Sequence, residues 1–193
     1  MIDVLRRASH VMTWIVGAAL IATAGLVAVE VVLRKVFLIG LSMGTEISSY
    51  VLAVVSSWGF AFALFNRAHV RVDALVRLLP LRGAAWADVL ALAGLTGFAA
   101  ALTFHGYVAL AESWLMDARA MTPLATRLWI PQGLWVLGLI FFTVSAAALL
   151  GRALYLLVRG HAAATRELIG TASMEDEGYS EVKEFIEDGQ DDR

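Results

Sequence analysis

The sequence predicts an all-α membrane protein with four transmembrane helices. Four apolar runs carry this reading: Val11–Leu33, Ile47–Phe65, Val89–Leu110 and Leu134–Val158. Each is about the 20 residues that cross a bilayer as helix. Charge is nearly absent from them. The second and third runs have none, the first holds only Glu30 and the fourth only Arg152, with His105 in the third. A water-soluble helix would show a polar face recurring every third or fourth residue, and these runs do not. In lipid such segments must satisfy their own backbone, which selects helix.

Composition leaves room for little else. The chain has 193 residues, 60% of them hydrophobic and 17% charged. Residues 1–165 read as one transmembrane domain and 166–193 as an acidic, disordered tail. Cysteine is absent, which excludes disulfides, thiolate catalysis and cysteine-ligated metals. The first run is longer than a signal-peptide core and reads as a retained span, with a removed signal as the alternative. With the N-terminus inside, eleven of the 15 Lys and Arg fall in inner segments. The positive-inside bias therefore places both termini in the cytoplasm.

Between the runs, the first outer loop, Arg34 to Glu46, is short and carries Gly40 and Gly44. The inner loop from Asn66 to Asp88 contains Val72, Leu75, Val76 and Leu79 at helical spacing. It predicts a short interfacial helix ending before Pro80. The second outer loop, Ala111 to Gly133, contains Trp114 and Trp129, placed as an interfacial aromatic belt would be. From Met174 onward, nine acidic residues face only Lys183 and Arg193.

Charges at membrane depth need a partner or a purpose. Glu30 and Arg34 are spaced i, i+4 in the favourable order for a helical ion pair. The pair either neutralises a helix end or meets a polar face of another subunit. Glu46 opens the second run, where a helix N-terminus favours negative charge. Glu30, Arg34 and Glu46 are thus expected as an outer polar cluster fixing spans one and two. Small residues form two stripes: Ala18, Ala22 and Gly25 on span one, and Ser49, Ala53, Ser56, Gly59 and Ala63 on span two. Both are expected to pack helices inside the four-helix unit. His10, His69, His105 and His161 do not share one depth, which disfavours bis-histidine haem. No paired carboxylates, catalytic triad or phosphate loop suggests an enzyme. The basic inner loop suits lipid headgroups rather than nucleic acid.

His69-Val70-Arg71-Val72-Asp73 directly follows span two, after Ser57-Trp58-Gly59-Phe60-Ala61-Phe62-Ala63-Leu64. With Val31-Val32-Leu33-Arg34-Lys35-Val36-Phe37 closing span one and Glu46 opening span two, this resembles the DctQ-like small membrane subunit of tripartite ATP-independent periplasmic (TRAP) transporters. The resemblance covers about residues 10 to 160. The run Leu41 to Glu46 lacks the tryptophan that the family often carries before that glutamate. The resemblance implies a scaffold in the bacterial inner membrane, beside a large multi-span subunit that holds the substrate and sodium sites. It also implies a periplasmic binding protein that delivers an organic acid, and no cofactor in this chain. Glu30, Arg34, Glu46, Trp58, His69, Arg71 and Asp73 become candidate structural or subunit-interface residues. The competing readings are a membrane anchor of a redox complex and a stand-alone small transporter.

Overall fold

The computed structural model describes residues 2–37, 43–66, 79–122 and 124–169. They form five helices: α1 (Ile2–Phe37), α2 (Gly44–Phe65), α3 (Leu81–Leu115), α4 (Trp129–Val158) and α5 (Ala162–Ile169). The first four are long and apolar enough to cross a membrane. The described residues contain no strand, only an isolated antiparallel bridge between Arg119 and Arg127. The expected interfacial helix and the acidic tail from Met174 onward lie outside the described residues.

The helices run past the apolar stretches that announce them. α1 has 36 residues, a length of about 54 Å at 1.5 Å per residue, against about 30 Å of hydrocarbon. Asp3 lies in its first turn and Arg34 and Lys35 in its last, each sign matched to the helix dipole. α4 starts at Trp129, ahead of the apolar run, because Pro131 falls in the first turn. A proline there removes no intrahelical bond. The last turn of α4 closes through Gly160, at φ 80°, whose N–H donates to Leu157 O (3.0 Å). His161 N–H donates to Leu156 O (3.0 Å), completing a Schellman stop that turns the chain into α5.

Packing pairs α1 with α2, α2 with α4, and α4 with α3. α1 meets α4 only lightly, and neither α1 nor α2 makes a comparable pairing with α3 among the described residues. The four long helices therefore stand in a row, α1–α2–α4–α3, rather than closing into a bundle. A row has two broad faces, so a large share of its apolar side chains point outward. Trp14, Ile21, Leu90, Phe98 and Phe104 are all exposed. In water such faces would drive aggregation, whereas lipid or a membrane partner covers them without that cost.

On α1 the buried positions recur every seven residues: Ser9, Val16, Thr23 and Glu30. A strict seven-residue seam is the signature of helices packed at a shallow left-handed crossing. Ser9 and Thr23 return their hydroxyls to the carbonyls of Arg6 (2.7 Å) and Ala19 (2.8 Å), so the seam carries no orphan hydroxyl. Ala18, Ala22 and Gly25, expected to pack inside the four-helix unit, are exposed instead. The seam lies on another side of the helix, and a Cβ added to Gly25 would meet nothing within 4 Å. Similarly, Ser49 and Ser56 of α2 face outward while Ser57 and Ala61 are buried. One residue turns a helical position by about 100°, and that is the whole difference between Ser56 and Ser57.

The end of the row that carries residues 2–10 is tied by α5. This short helix lies against α3 and α4, burying Ala162, Thr165 and Ile169. Asp88 of α3, 4% exposed, meets Arg166 Nε at 3.5 Å. Asp88 is buried while Arg166 is about a third exposed, so the pair joins a desolvated carboxylate on α3 to a partly solvated arginine on α5. Asp88→Ala is therefore expected to loosen α5 and lower stability by about 1–3 kcal/mol. A lower Tm in detergent and faster proteolysis after Gly160 would register it. An unchanged melt would mean that apolar contacts alone hold α5.

Candidate functional site

The polar residues singled out in the sequence resolve into separate contacts, each joining different elements. At the first, Glu30 of α1 is buried, at 4% exposed. Its Oε1 accepts from Arg34 Nη2 at 3.1 Å, the i, i+4 pair its spacing announces. Its Oε2 accepts from the backbone N–H of Gly44 at 2.6 Å. Gly44 is the first residue of α2, and Met43 before it supplies no side-chain cap. The carboxylate thus caps α2 from the neighbouring helix, satisfying a donor that has no intrahelical acceptor. It also places negative charge at the positive end of the α2 dipole. A Cβ on residue 44 would collide with Glu30 Oε2, so any side chain there would push the carboxylate away from this N–H.

Glu46, two residues on, faces elsewhere. Its Oε1 accepts from the Tyr50 hydroxyl at 2.9 Å, while buried Oε2 has no donor at strict hydrogen-bond geometry. Thr122 and Thr126, from the loop between α3 and α4, are the further donors acting on this carboxylate. Glu30 therefore joins α1 to α2, with Arg34 paired to it along α1, and Glu46 joins α2 to the loop. The loop is pinned by its own backbone: Ala118 N–H donates to Ser113 O, Ala120 N–H to Thr126 O and Leu128 N–H to Ala118 O, each at 3.0 Å. Asp117 meets Arg119 (3.3 Å) and Arg127 (3.5 Å). All three side chains are about half exposed, so these pairs add little to stability.

Trp58 marks the junction of α2 with α4. Its indole Nε1 donates to the backbone carbonyl of Leu134 at 3.2 Å. Its ring stacks on Phe141 at 5.7 Å between centroids, 25° from parallel. One turn beyond Leu134, Gly138 presents bare backbone, and a Cβ there would strike Ser57 Oγ and run into Trp58 Cδ1 at 2.9 Å. Without a side chain the two helices approach closely, which is how helices gain dispersion and hydrogen bonds in lipid. Between α3 and α4 the corresponding polar contact is Thr103 with Thr143, hydroxyl to hydroxyl at 2.8 Å.

Gly138 and the Asp88–Arg166 pair are not singled out by the sequence reading. Asp88 carried a signal, since it stands at the very start of an apolar run. His69, Arg71 and Asp73 lie outside the described residues. Of the other histidines, His10 sits edge-on to Phe62 of α2 (5.0 Å). His105 is exposed beside Phe104 (5.5 Å). Among the described residues no three His, Asp or Glu side chains gather as a metal-binding group.

The arrangement is that of a brace. Polar groups are spent joining helix to helix near the ends and at the α2–α4 crossing. Comparison with curated proteins and with solved structures finds no match. A family model does match, over residues 23–156: the DctQ component of tripartite ATP-independent periplasmic transporters. That match spans the Glu30 cap, the Trp58–Gly138 crossing and all of α2 and α3, and the chain belongs to the DctQ family.

Proposed function

We propose that this chain is the stationary scaffold subunit of a TRAP transporter in the bacterial inner membrane. It pairs with a large membrane subunit that carries the substrate and sodium sites. A periplasmic binding protein delivers an organic acid to that pair. Family membership over residues 23–156 carries this reading. Two features of the fold support it. Two polar side chains make helix-to-helix contacts, Glu30 on Gly44 and Trp58 on Leu134. The helices form a row with broad apolar faces, suited to widening a larger partner within the bilayer.

Both termini face the cytoplasm in this reading, as the Lys and Arg distribution favours. The Glu30 and Glu46 contacts then lie at the periplasmic end and the Asp88–Arg166 pair at the cytoplasmic end. In the same reading Arg71 and Asp73 fix the inner loop, with His69 and Arg71 near the cytoplasmic headgroups. Arg71→Ala or Asp73→Ala is expected to weaken co-purification of the large subunit or lower uptake several-fold. Full recovery and full uptake in both variants would remove the inner loop from the interface.

The functional test is reconstitution. Proteoliposomes with the large subunit, the binding protein and an inward sodium gradient should accumulate organic acid when this chain is included. Omitting the chain should abolish accumulation. Equal uptake without it would refute an obligatory scaffold, and uptake by this chain alone would make it a transporter in its own right.

A further inference from the structure

Arg152 is the single charged residue of the fourth apolar run. It lines a cleft of about 670 Å³ between the start of α1 (Ile2, Asp3), α4 (Ala148, Gly151) and α5 (Leu168). Its guanidinium carbon lies 5.9 Å from the centre of the Tyr155 ring, and that of Arg159 lies 4.8 Å from the same ring. Neither arginine forms an ion pair with any described residue, although Asp3 lines the same cleft.

A guanidinium does not lose its proton, and at membrane depth it needs an anion or water. α4 continues only as far as Val158. That is about 9 Å beyond Arg152 at 1.5 Å per residue, so the flexible side chain reaches headgroup level. The anion that the bilayer itself supplies at that level is a phosphodiester, which arginine binds through two parallel N–H donors. Small Ala148 and Gly151 line the same cleft and give it an apolar slot for the start of an acyl chain. The exposed Arg6 and Arg7 of α1 make this end of the row basic, which favours a lipid of net negative charge. Asp3 can accept from a headgroup hydroxyl. We propose that this cleft is a phospholipid site in which Arg152, flanked by Tyr155 and Arg159, holds the phosphate of an anionic lipid such as phosphatidylglycerol. This inference rests on the membrane fold and not on the transporter role.

Native mass spectrometry of the full chain in mild detergent, titrated with phosphatidylglycerol, tests it. The wild-type chain is expected to retain lipid. Arg152→Gln should lower occupancy about fivefold, the loss of one cation's attraction near a membrane surface. Ala148→Leu keeps the arginine but fills the slot, and should lower occupancy as well. Arg119→Gln, at the opposite end of the row, should leave it unchanged. Equal retention in the wild type and Arg152→Gln would overturn the proposal. So would displacement by millimolar inorganic phosphate, which would make the cleft a free-anion site. A several-fold gain on deleting residues 171–193 would assign the cleft to the acidic tail and overturn it too.

Discussion

Gly138→Leu is expected to part α2 from α4 and produce a large loss of stability. Even a Cβ at this position runs into Ser57 and Trp58, and a leucine adds three more carbons. Overpacking of this kind costs about 1–3 kcal/mol where neighbours can shift. Here the neighbours are held. Trp58 is fixed by its bond to Leu134 O and by stacking on Phe141, and Ser57 donates to the Val54 carbonyl at 2.9 Å. The α2–α4 contact links the α1–α2 pair to the α4–α3 pair, so separating it divides the row into two hairpins. A fall in Tm of many degrees in detergent, with faster proteolysis between the halves, is the expected readout. Gly138→Ala should be milder but of the same sign, and a wild-type melt for Gly138→Leu would show that the crossing is loose.

The second large effect is at Glu30. Glu30→Ala removes the acceptor of the Gly44 N–H and the partner of Arg34 together. An unsatisfied donor buried at a helix terminus costs about 1–3 kcal/mol, and α2 has no other side-chain cap. Glu30→Gln retains an oxygen for Gly44 but loses the charge, so it should recover a good part of the loss. Gly44→Ala should be destabilising but milder than Glu30→Ala, because its methyl pushes the carboxylate off the N–H while leaving the Arg34 pair. Thermal melts of the three variants provide the comparison. If Glu30→Ala and Glu30→Gln were equally destabilised, the charge on Arg34 and the helix dipole would matter more than the cap.

The two effects differ in how far the sequence foretold them. Four apolar runs were enough to place four helices, because length and lack of charge are properties of each segment alone. The helix ends were not legible, since α1 and α3 continue through Arg6, Arg7 and Arg82 beyond the hydrocarbon, where hydropathy no longer reports helix. The Glu30–Arg34 pair was legible because it is local, four residues along one helix. Its other half, the Gly44 N–H, was not. That contact depends on how α1 and α2 cross and on the conformation at the start of α2.

The small-residue stripes failed for a related reason. Ala18, Ala22 and Gly25 and the buried seam Ser9, Val16, Thr23 and Glu30 are both regular patterns on one helix. Where lipid is as apolar as a helix interior, composition does not mark which face turns inward. The buried polar residues of the seam held the better signal, because a hydroxyl or carboxylate at depth needs protein around it. Trp58 came into view only through the family resemblance. Its partner Gly138 lies in the last span and bears no polar group to draw notice.

The central claim, a scaffold that works only beside a larger subunit, is tested most directly by mild-detergent purification of this chain from its native membrane. Co-purifying proteins would be identified and quantified by mass. The account predicts a large, many-span membrane protein in near-equal amount. Recovery of the chain alone, or with a soluble redox enzyme, would contradict it.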